Sequence, residues 1–314
     1  MDKLSPNEYR RQILERFPWI LERDRHMILS TDLDGILCGI YMHHFFGWKI
    51  AGFYDLERIC ISQQVQLQDA IWLDLDISHP QIYSVGHHIL TLKPSEPLSL
   101  PPMLEKCLNP NIERMISRKE FQRKYPFATI HLLIWLHSDS INGQLDDFQK
   151  MLLYFADSSW INAQRYNKNC RDWVENFIDL PLLVEMVEQA PTVEFEHRAE
   201  QFVKILEDTG IRRGRGQVTS QFLGIGGYQV RFTIPPNNPE DLQNKMSSLA
   251  RIMGWKSEIT IPLEYRVIFG KRISDYINNP KFENIIQYKP FSYAITNRNQ
   301  INYTIIETKN IHLT

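Results

Sequence analysis

The sequence predicts an α/β protein, with a doubly wound, mainly parallel sheet in its N-terminal part and a smaller α/β domain in its C-terminal part. Residues 27–34, Met-Ile-Leu-Ser-Thr-Asp-Leu-Asp, form a short apolar run with the length of a buried strand, and the run ends in Asp32 and Asp34. Apolar residues at helical spacing over 36–46 and a second apolar run at 48–54 complete a βαβ unit. Open α/β sheets bind ligands at the carboxyl ends of their strands, so the two aspartates mark a predicted site.

A second acidic strand end follows along the chain. Residues 70–73 are apolar, and Asp74 and Asp76 come immediately after them. His87 and His88 lie a short turn further on, and five of the ten histidines fall between residues 43 and 88. Carboxylates and imidazoles can bind the same divalent transition metal. This clustering therefore predicts a metal site.

The composition is that of a globular protein, because 43% of the 314 residues are apolar and 23% are charged. The formal net charge of −2 argues against a broad, non-specific nucleic-acid binder but permits a local basic groove. The four cysteines lack CxxC spacing, which argues against a zinc ribbon or a disulfide framework and favours a reducing compartment. No apolar run approaches the roughly 20 residues of a membrane span, and the N-terminus lacks the apolar region of a signal peptide. We expect a cytoplasmic protein with no membrane partner.

The length allows two domains of ordinary size. We predict one domain over residues 1–185 and a second over residues 186–314, where strand-like stretches begin to alternate with helices. In the first domain, helices are predicted at 5–23, 36–46, 111–124, 127–137, 145–156 and 165–177. A further helix at 181–196 would join the domains. In the second, helices are predicted at 195–208 and 239–253, and strands at 228–234, 258–261, 265–269 and 301–306.

The order of these motifs resembles the DHH phosphoesterase superfamily. An Asp-x-Asp-Gly turn follows the first strand, a later strand ends in aspartate, a His-His pair comes next, and Asp157 follows two helices. The C-terminal part is similar to the DHHA1 domain of that superfamily. The resemblance implies a DHH-like catalytic domain that binds metal at 1–185 and a DHHA1-like domain that binds substrate at 186–314.

The resemblance also implies roles for individual residues. Asp32 and Asp34 match the two aspartates of the first motif. Asp74 matches the aspartate that ends the second conserved strand, with Asp76 as its rival. His87 and His88 match the two histidines, and Asp157 matches the final aspartate. The implied catalytic residues are Asp32, Asp34, Asp74, His87 and His88, and the implied metal ligands are Asp32, Asp34, Asp74, Asp76, His87 and Asp157.

The implied cofactor is a pair of Mn²⁺ or Mg²⁺ ions. Mixed carboxylate and imidazole ligands suit manganese. Two ions about 3.5–4 Å apart can activate a water and stabilise both oxygens of an in-line phosphoryl displacement. The sequence thus predicts a Mn-dependent phosphodiesterase or nuclease that hydrolyses a phosphodiester of a nucleotide or of a short single-stranded nucleic acid, and that can be a homodimer.

The chain departs from the family pattern at several positions. Ser30 stands where the family has a histidine, two residues before the first aspartate, and Gly86 stands where an aspartate precedes the two histidines. The interval from Asp74 to His87 is shorter than the usual strand–helix–strand passage. The glycine-rich substrate loop of the second domain is reduced to residues 254–256. A protein with these departures can have lost one ligand, and with it catalysis.

Each candidate also has a purely structural interpretation. Asp32 and Asp34 could cap the following helix, with Gly35 permitting a tight turn and Gly47 ending the helix. The second acidic pair could be turn residues, and Asp157 could belong to an ordinary turn. His87 and His88 would alternate faces on a strand, so that only one need be a ligand. Other residues expected to be structural are Cys38, His43, His44 and His79.

Substrate contacts are predicted from arginines in the second domain. Arg212, Arg213 and Arg215 are interleaved with glycines, and such a segment can wrap a phosphate bidentately. A solvated loop is the alternative. Arg231 and Arg298 are further candidates for phosphate contacts.

Two other functions stay open on the sequence. A degenerate member of the family would bind nucleic acid or a protein partner without cleaving it, as the departures at Ser30 and Gly86 suggest. A haloacid-dehalogenase-type phosphatase would use Asp32 as its nucleophile, because residues 32–35 also resemble the first motif of that family. Its later lysine and acidic motif have no convincing copy in the chain.

Overall fold

Two sheets organise the chain. The structure, a computed structural model, describes residues 4–91, 102–138, 145–208, 210–211, 218–227, 230–235, 237–276, 285 and 290–306. The strands are β1 (His26–Ser30), β2 (Lys49–Tyr54), β3 (Arg58–Ser62), β4 (Ala70–Leu73), β5 (Ser84–Val85), β6 (Cys107–Leu108), β7 (Tyr265–Phe269), β8 (Lys271–Tyr276), β9 (Ser292–Asn297) and β10 (Gln300–Ile305).

The larger sheet has the order β6-β5-β4-β1-β2-β3-β7, and the smaller one has the order β8-β10-β9. Strand β1 pairs in parallel with β2 and β4, and β5 and β6 continue the parallel part. Strands β3 and β7 are antiparallel to their neighbours, as are all three strands of the smaller sheet. The predicted α/β fold with a mainly parallel sheet is confirmed. Because β1, β2 and β4 are parallel, their carboxyl ends lie at one edge.

Helices surround the larger sheet: α1 (Pro6–Arg16), α2 (Leu33–Phe46), α3 (Pro110–Glu113), α4 (Thr129–Leu136), α5 (Asp147–Phe155), α6 (Ser159–Arg165), α7 (Asn167–Asn176), α8 (Pro181–Gln189), α9 (Val193–Asp208) and α10 (Pro239–Ile252). The helix periodicity of the sequence predicts α2, α4, α5, α7, α9 and α10 to within three residues at each end. Within the described part of the chain, no helix combines the length and the apolar character needed to cross a membrane.

The long helix predicted at 111–124 is wrong. Helix α3 covers a single turn and ends where Met115 adopts a left-handed backbone conformation (φ 53°), and a 3₁₀ helix follows at Arg118–Arg123. The predicted strands at 228–234 and 258–261 are also wrong for the described residues. Around Arg231 the chain forms only an isolated bridge to Asp32. Local apolar periodicity does not reveal these tertiary constraints.

Helix α2 packs unusually closely on β1, and two glycines one turn apart allow this. A Cβ atom at Gly35 would lie 2.0 Å from the Ser30 hydroxyl oxygen, and one at Gly39 would lie 2.4 Å from the Leu29 side chain. Gly35 thus lies inside the helix, and its role is close approach and not the predicted tight turn. The predicted helix end is confirmed, because Gly47 is left-handed with φ 70°. We expect overpacking at Gly39 to cost about 1–3 kcal/mol.

Residues on both sides of position 185 share the larger sheet, since β7 pairs with β3. The smaller sheet is tied to the larger one by backbone hydrogen bonds: the Ser78 amide donates to Phe291 O (2.8 Å), and the Gly270 amide donates to Glu57 O (2.7 Å). These bonds place the smaller sheet beside the carboxyl ends of β2 and β4. The predicted division at 185/186 stays a prediction.

Candidate metal centre

A cleft of about 640 Å³ opens at the carboxyl ends of β1, β2 and β4. The acidic strand ends form one wall, and the strands of the smaller sheet form another. Two of the predicted site residues, Asp34 and His87, are almost fully buried and are not part of the lining. The predicted catalytic or metal-binding residues that line the cleft are Asp32, Asp74, Asp76, His88 and Asp157.

Asp32 is held at the start of α2. It is the N-cap of that helix, because its Oδ1 accepts a hydrogen bond from the Gly35 amide (3.1 Å). The Ser30 hydroxyl oxygen lies 2.9 Å from the same oxygen, and its single hydrogen is donated to Asp74 at the shorter distance of 2.6 Å. The alternative that Asp32 caps the helix is therefore confirmed. Capping engages only one oxygen of the carboxylate, so a cap can also be a metal ligand.

Asp34 caps a different helix. Its side chain is fully buried, and its two oxygens accept hydrogen bonds from the amides of Thr129 (2.6 Å) and Ile130 (2.9 Å) at the start of α4. The Sγ atom of Cys38 lies 3.6 Å from the same carboxylate. Helix N-termini stabilise negative charge. Asp34 thus joins α2 to α4 and keeps a carboxylate beneath the floor of the cleft.

Asp74 lies at the centre of the site. Its backbone is left-handed (φ 57°), and such strain in a non-glycine residue is typical of functional positions. Its Oδ2 accepts from the Ser30 hydroxyl (2.6 Å), and its Oδ1 accepts from the Thr129 hydroxyl (2.8 Å). Oδ1 also faces His87 Nδ1 at 3.8 Å and His88 Nε2 at 4.0 Å. Ser30 and Thr129 therefore connect the second acidic strand end to the first.

Both histidines face the acidic cluster. They lie in the loop after β5 and not on a strand, and their ring centroids are 4.0 Å apart. The Thr129 hydroxyl uses its hydrogen on Asp74, so it accepts the Nδ1 hydrogen of His87 at 2.9 Å. The free nitrogen of His87, Nε2, is then directed at Asp157 Oδ2, 2.8 Å away. A lone pair that faces a carboxylate is the arrangement of two ligands to one cation.

Asp157 occupies a strained turn at the rim. It and Ser158 are both left-handed (φ 47° and 55°), in a 3₁₀ turn between α5 and α6. Gly227 packs tightly against this turn, because a Cβ atom at position 227 would lie 2.5 Å from the Ser158 hydroxyl oxygen. The Asp157 side chain keeps 29% of its surface exposed. It is thus a turn residue, as the alternative proposes, and also a partly exposed carboxylate of the cluster.

Asp76 has a supporting position. Its Oδ2 accepts from the His88 amide (2.7 Å), and its Oδ1 accepts from the Asn109 side chain (2.7 Å). A Cβ atom at Gly86 would lie 2.6 Å from the Asp76 Cγ and 2.7 Å from each carboxylate oxygen. The Asp76 carboxylate therefore fills the space that a side chain at position 86 would enter. It also orients the loop that carries the histidines.

The cluster concentrates negative charge in a buried place. Burial, followed by repulsion from Asp157 and Asp32, raises the pKa of Asp34 to about 8. Burial and the neighbouring carboxylates likewise raise the pKa of Asp74 well above its ordinary value. Burial lowers the pKa of His87, so its imidazole stays neutral. Neutral imidazoles beside crowded carboxylates are the state that binds a metal ion, and a cation would relieve the repulsion.

The donor atoms fit a divalent cation such as Mn²⁺. Among the residues that the structure describes, two groups have their donor atoms within 4.8 Å of one another: Asp74 with His87 and His88, and Asp34 with His87 and Asp157. His87 belongs to both groups. Asp32 and Asp76 belong to neither, although Asp32 is linked to Asp74 through the Ser30 hydroxyl. All the other predicted catalytic or metal-binding residues thus lie in the two groups, with mixed carboxylate and imidazole chemistry.

The predicted substrate arginines have different outcomes. Arg231 lines the cleft, held there by its backbone bridge to Asp32. Arg298 lies in the turn between β9 and β10 and is not part of the cleft lining. The arginines of the glycine-interleaved segment, Arg212, Arg213 and Arg215, lie outside the described residues.

Sequence reasoning missed several polar residues of the site. Thr129 begins the buried helix α4, and its hydroxyl and amide contact Asp74 and Asp34 respectively. Lys124 lines the cleft and donates to Ile295 O at 3.3 Å. Asn109 precedes a proline, which is a helix N-cap signal and not a functional one. The sequence therefore contained a local cue for Asn109 but none for the contacts of Thr129.

Among the residues expected to be structural, the contacts agree with that role. His43 Nδ1 contacts Trp48 O (3.0 Å), and His44 stacks on Trp255. The Gln81 amide donates to His79 (3.2 Å), and Cys38 is buried in α2.

Comparison of the chain with protein-family models, curated proteins and solved structures gives no match. The chemistry of the cleft follows from its own residues. Its acidic wall can hold divalent cations, and its cationic side chains, Lys124, Arg231 and Arg272, can bind an anion. A ligand that suits both is an anion that is itself bound through metal.

Proposed function

We propose that the protein is a metal-dependent phosphoesterase of DHH type that hydrolyses a phosphodiester of a nucleotide or of a short single-stranded nucleic acid. In this proposal residues 1–185 form the metal-binding part and residues 186–314 form the DHHA1-like substrate-binding part. The observation that carries the proposal is the convergence of two Asp-Leu-Asp strand ends and a His-His pair on one end of a cleft.

The residues that would hold Mn²⁺ or Mg²⁺ are Asp32, Asp34, Asp74, His87, His88 and Asp157. Bound divalent ions would activate water and neutralise charge in the phosphoryl displacement. The chain itself orients these ligands: α4 holds Asp34, the Thr129 hydroxyl fixes the His87 tautomer, and Asp76 holds the His88 backbone. We assign Asp76 to this orienting role and not to ligation.

The cationic side chains of the cleft would bind the phosphate that is cleaved. Lys124 is close enough to Asp157 and Asp76 for their charges to oppose the lowering of the Lys124 pKa by burial. Arg231 is attached beside Asp32 through its backbone and is exposed. Guanidinium and ammonium groups at the edge of a metal site attract a phosphodiester to it.

The test is a calorimetric titration with Mn²⁺, combined with hydrolysis of bis(4-nitrophenyl) phosphate and of a dithymidine phosphodiester. We expect Mn²⁺ binding, Mn²⁺-dependent hydrolysis, and loss of hydrolysis in EDTA. Asp157→Asn should weaken Mn²⁺ binding at least about tenfold. Asp55→Asn is the matched control, because Asp55 lines the same cleft but pairs with Arg58 (2.7 Å).

A second candidate function is binding without cleavage. All carboxylate oxygens of Asp34 and Asp76 accept hydrogen bonds within the protein. These carboxylates are therefore less available to bind metal, which favours this second candidate. Mn²⁺ binding with no hydrolysis of either phosphodiester would support this candidate. Absence of both binding and hydrolysis would refute the metal-dependent phosphoesterase.

A further inference from the structure

A short hairpin at residues 218–227, the rim hairpin, lies next to the acidic end of the cleft. An isolated backbone bridge joins its two sides. Its base packs on the turn that carries Asp157, because Gly227 lies against Ser158. Further along the chain, Arg231 lines the cleft itself. The surface of the rim hairpin is therefore continuous with the wall of the cleft.

The rim hairpin leads from the cleft to the far end of α6. Its base contacts Ser158, the residue before that helix. At the other end of the helix, the Arg165 guanidinium donates to Thr219 O (2.7 Å), and the Gln221 amide donates to Gln164 Oε1 (3.1 Å). The seven residues of α6 span about 10 Å. A nucleic-acid strand stacked at about 3.4 Å per nucleotide covers that distance with about three nucleotides.

The tip of the rim hairpin is fixed by one buried carboxylate. Glu196 of α9 is fully buried, and it accepts hydrogen bonds from the amides of Phe222 (2.9 Å) and Leu223 (2.6 Å). The Ser220 hydroxyl (2.6 Å) and the Gln164 side chain (2.8 Å) donate to the same carboxylate. Groups that bind a ligand lose less freedom on binding when the fold already holds them. The tip is thus preorganised.

This fixed tip exposes an aromatic ring near a guanidinium. Phe222 is 49% exposed. Arg165 is also exposed, and it is held by Thr219, three residues before the ring. The Nη1 atom of Arg165 has no hydrogen-bonding partner among the described residues. Proteins bind single-stranded nucleic acid with this combination, because the ring stacks on a base and the guanidinium pairs with a phosphate.

We infer that the rim hairpin binds a single-stranded oligonucleotide where the strand leaves the cleft, with a base stacked on Phe222 and a phosphate at Arg165. The inference rests on the proposed function and narrows its substrate class. A strand that reaches from the metal ligands to Phe222 has about four or more nucleotides, whereas a dinucleotide would occupy the cleft alone. Every base has a face that can stack, so this contact sets a length preference and no sequence preference.

The experiment measures binding of two unlabelled oligothymidylates, a dinucleotide and an octanucleotide, by calorimetry in EDTA, so that metal-dependent hydrolysis does not occur. Phe222→Ala should weaken octanucleotide binding about 5–100-fold and leave dinucleotide binding unchanged. Phe222→Trp keeps an aromatic surface and should retain the octanucleotide affinity. Leu223→Ala is the matched control, because Leu223 is a similarly exposed apolar residue of the same tip (40%) that has no ring.

The salt dependence of octanucleotide binding tests the phosphate contact. Arg165→Gln should reduce the slope of log affinity against log salt concentration by about 0.7, the value for one phosphate contact with a single strand. Phe222→Ala should leave that slope unchanged, because stacking involves no ion pair.

The inference is overturned if wild type binds neither oligonucleotide, or binds the octanucleotide no more tightly than the dinucleotide. Unchanged octanucleotide binding in Phe222→Ala also overturns it and is the result expected of a tip that docks a protein partner. An equal loss in Leu223→Ala would refute stacking. Failure of the proposed function is a separate result: the octanucleotide preference would persist in EDTA, while neither oligonucleotide would be hydrolysed with Mn²⁺.

Discussion

The two acidic strand ends carry the same tripeptide, Asp-Leu-Asp, and place its carboxylates in different surroundings. After β1, the first aspartate (Asp32) caps its own helix at the cleft, and the second (Asp34) is fully buried against α4. After β4, the first aspartate (Asp74) occupies the centre of the cluster, and the second (Asp76) supports the histidine loop. Both carboxylates of the first pair cap helices, whereas in the second pair only Asp76 holds an element of the fold.

The difference arises from the backbone that continues beyond each pair. Helix α2 begins directly after Asp32, so the spacing of one residue places Asp34 in the first helical turn, pointing to α4. No helix begins directly after Asp74, whose left-handed backbone turns its carboxylate back towards Ser30 and Thr129. The same tripeptide thus gives a helix cap in one place and the centre of the acidic cluster in the other.

The largest expected effect is a loss of hydrolysis that differs between Asp74 and Asp76, the two aspartates after β4. Asp74→Asn should abolish Mn²⁺-dependent hydrolysis, a loss of about 10³-fold or more, because a ligand to the ion supplies several kcal/mol of transition-state stabilisation. Asp76→Asn should reduce it only about 10–100-fold, as for an orienting partner. Initial rates at saturating Mn²⁺, with circular dichroism to confirm folding, decide this. Equal losses in the two variants would contradict the assigned division of roles.

The next prediction tests whether position 86 is a glycine because the Asp76 carboxylate fills the space beside it. Asp76→Gly should lower Mn²⁺ affinity about 10–100-fold, because the His88 amide and the Asn109 side chain lose a buried acceptor. Adding Gly86→Asp to that variant places a carboxylate in the vacated space and should recover part of the affinity. Gly86→Asp alone should destabilise the protein, because the space is already filled. A double variant that binds Mn²⁺ no better than Asp76→Gly would refute this explanation.

The sequence predicted the strand ends better than it predicted the roles of their residues. Apolar runs that end in carboxylates locate β1 and β4, and helical periodicity locates α2, because burial imposes these patterns locally. The partner of Asp34 could not be predicted in this way. It is the start of α4, almost a hundred residues later, and the contact depends on how two helices meet.

The departures at Ser30 and Gly86 show the same limit. On the sequence, each suggested a missing ligand. In the structure, the Ser30 hydroxyl donates to Asp74 and lies 2.9 Å from Asp32 Oδ1, and Gly86 makes room for the Asp76 carboxylate. A residue's own position in the chain does not show which side chain from elsewhere occupies the space beside it. Both positions therefore make contacts with side chains that only the fold brings together.

A smaller expected effect concerns the proton on Asp34, in the acidic pair after β1. Because the folded pKa of Asp34 is about 8, far above its ordinary value of 3.8, the folded metal-free protein holds a proton that the unfolded chain releases. The contribution of Asp34 to stability is therefore fully present below about pH 4 and is lost as pH rises through about 8. Mn²⁺ replaces this proton, so Mn²⁺ affinity should rise between about pH 6.5 and about pH 7.5.

Calorimetry in buffers of different ionisation enthalpy measures the protons released. Asp34→Asn should reduce that number by about one, and Asp55→Asn should not change it. The same release from both variants would show that Asp34 is ionised in the metal-free protein. The protonated state assigned to Asp34 in the metal-free protein would then be wrong.

The smallest effect compares the two hydroxyls that connect the acidic pairs. Thr129 contacts Asp74 and His87, whereas Ser30 contacts only carboxylates. Thr129→Val should therefore lower Mn²⁺ affinity about tenfold, more than Ser30→Ala, because the His87 tautomer loses its partner. Thr129→Ser keeps the hydroxyl and is the control. Nitrogen NMR of the metal-free protein should show His87 protonated at Nδ1 in the wild type and in Thr129→Ser. Retention of that single tautomer in Thr129→Val would mean that the carboxylates alone orient the ring, and Ser30 and Thr129 would then be equivalent.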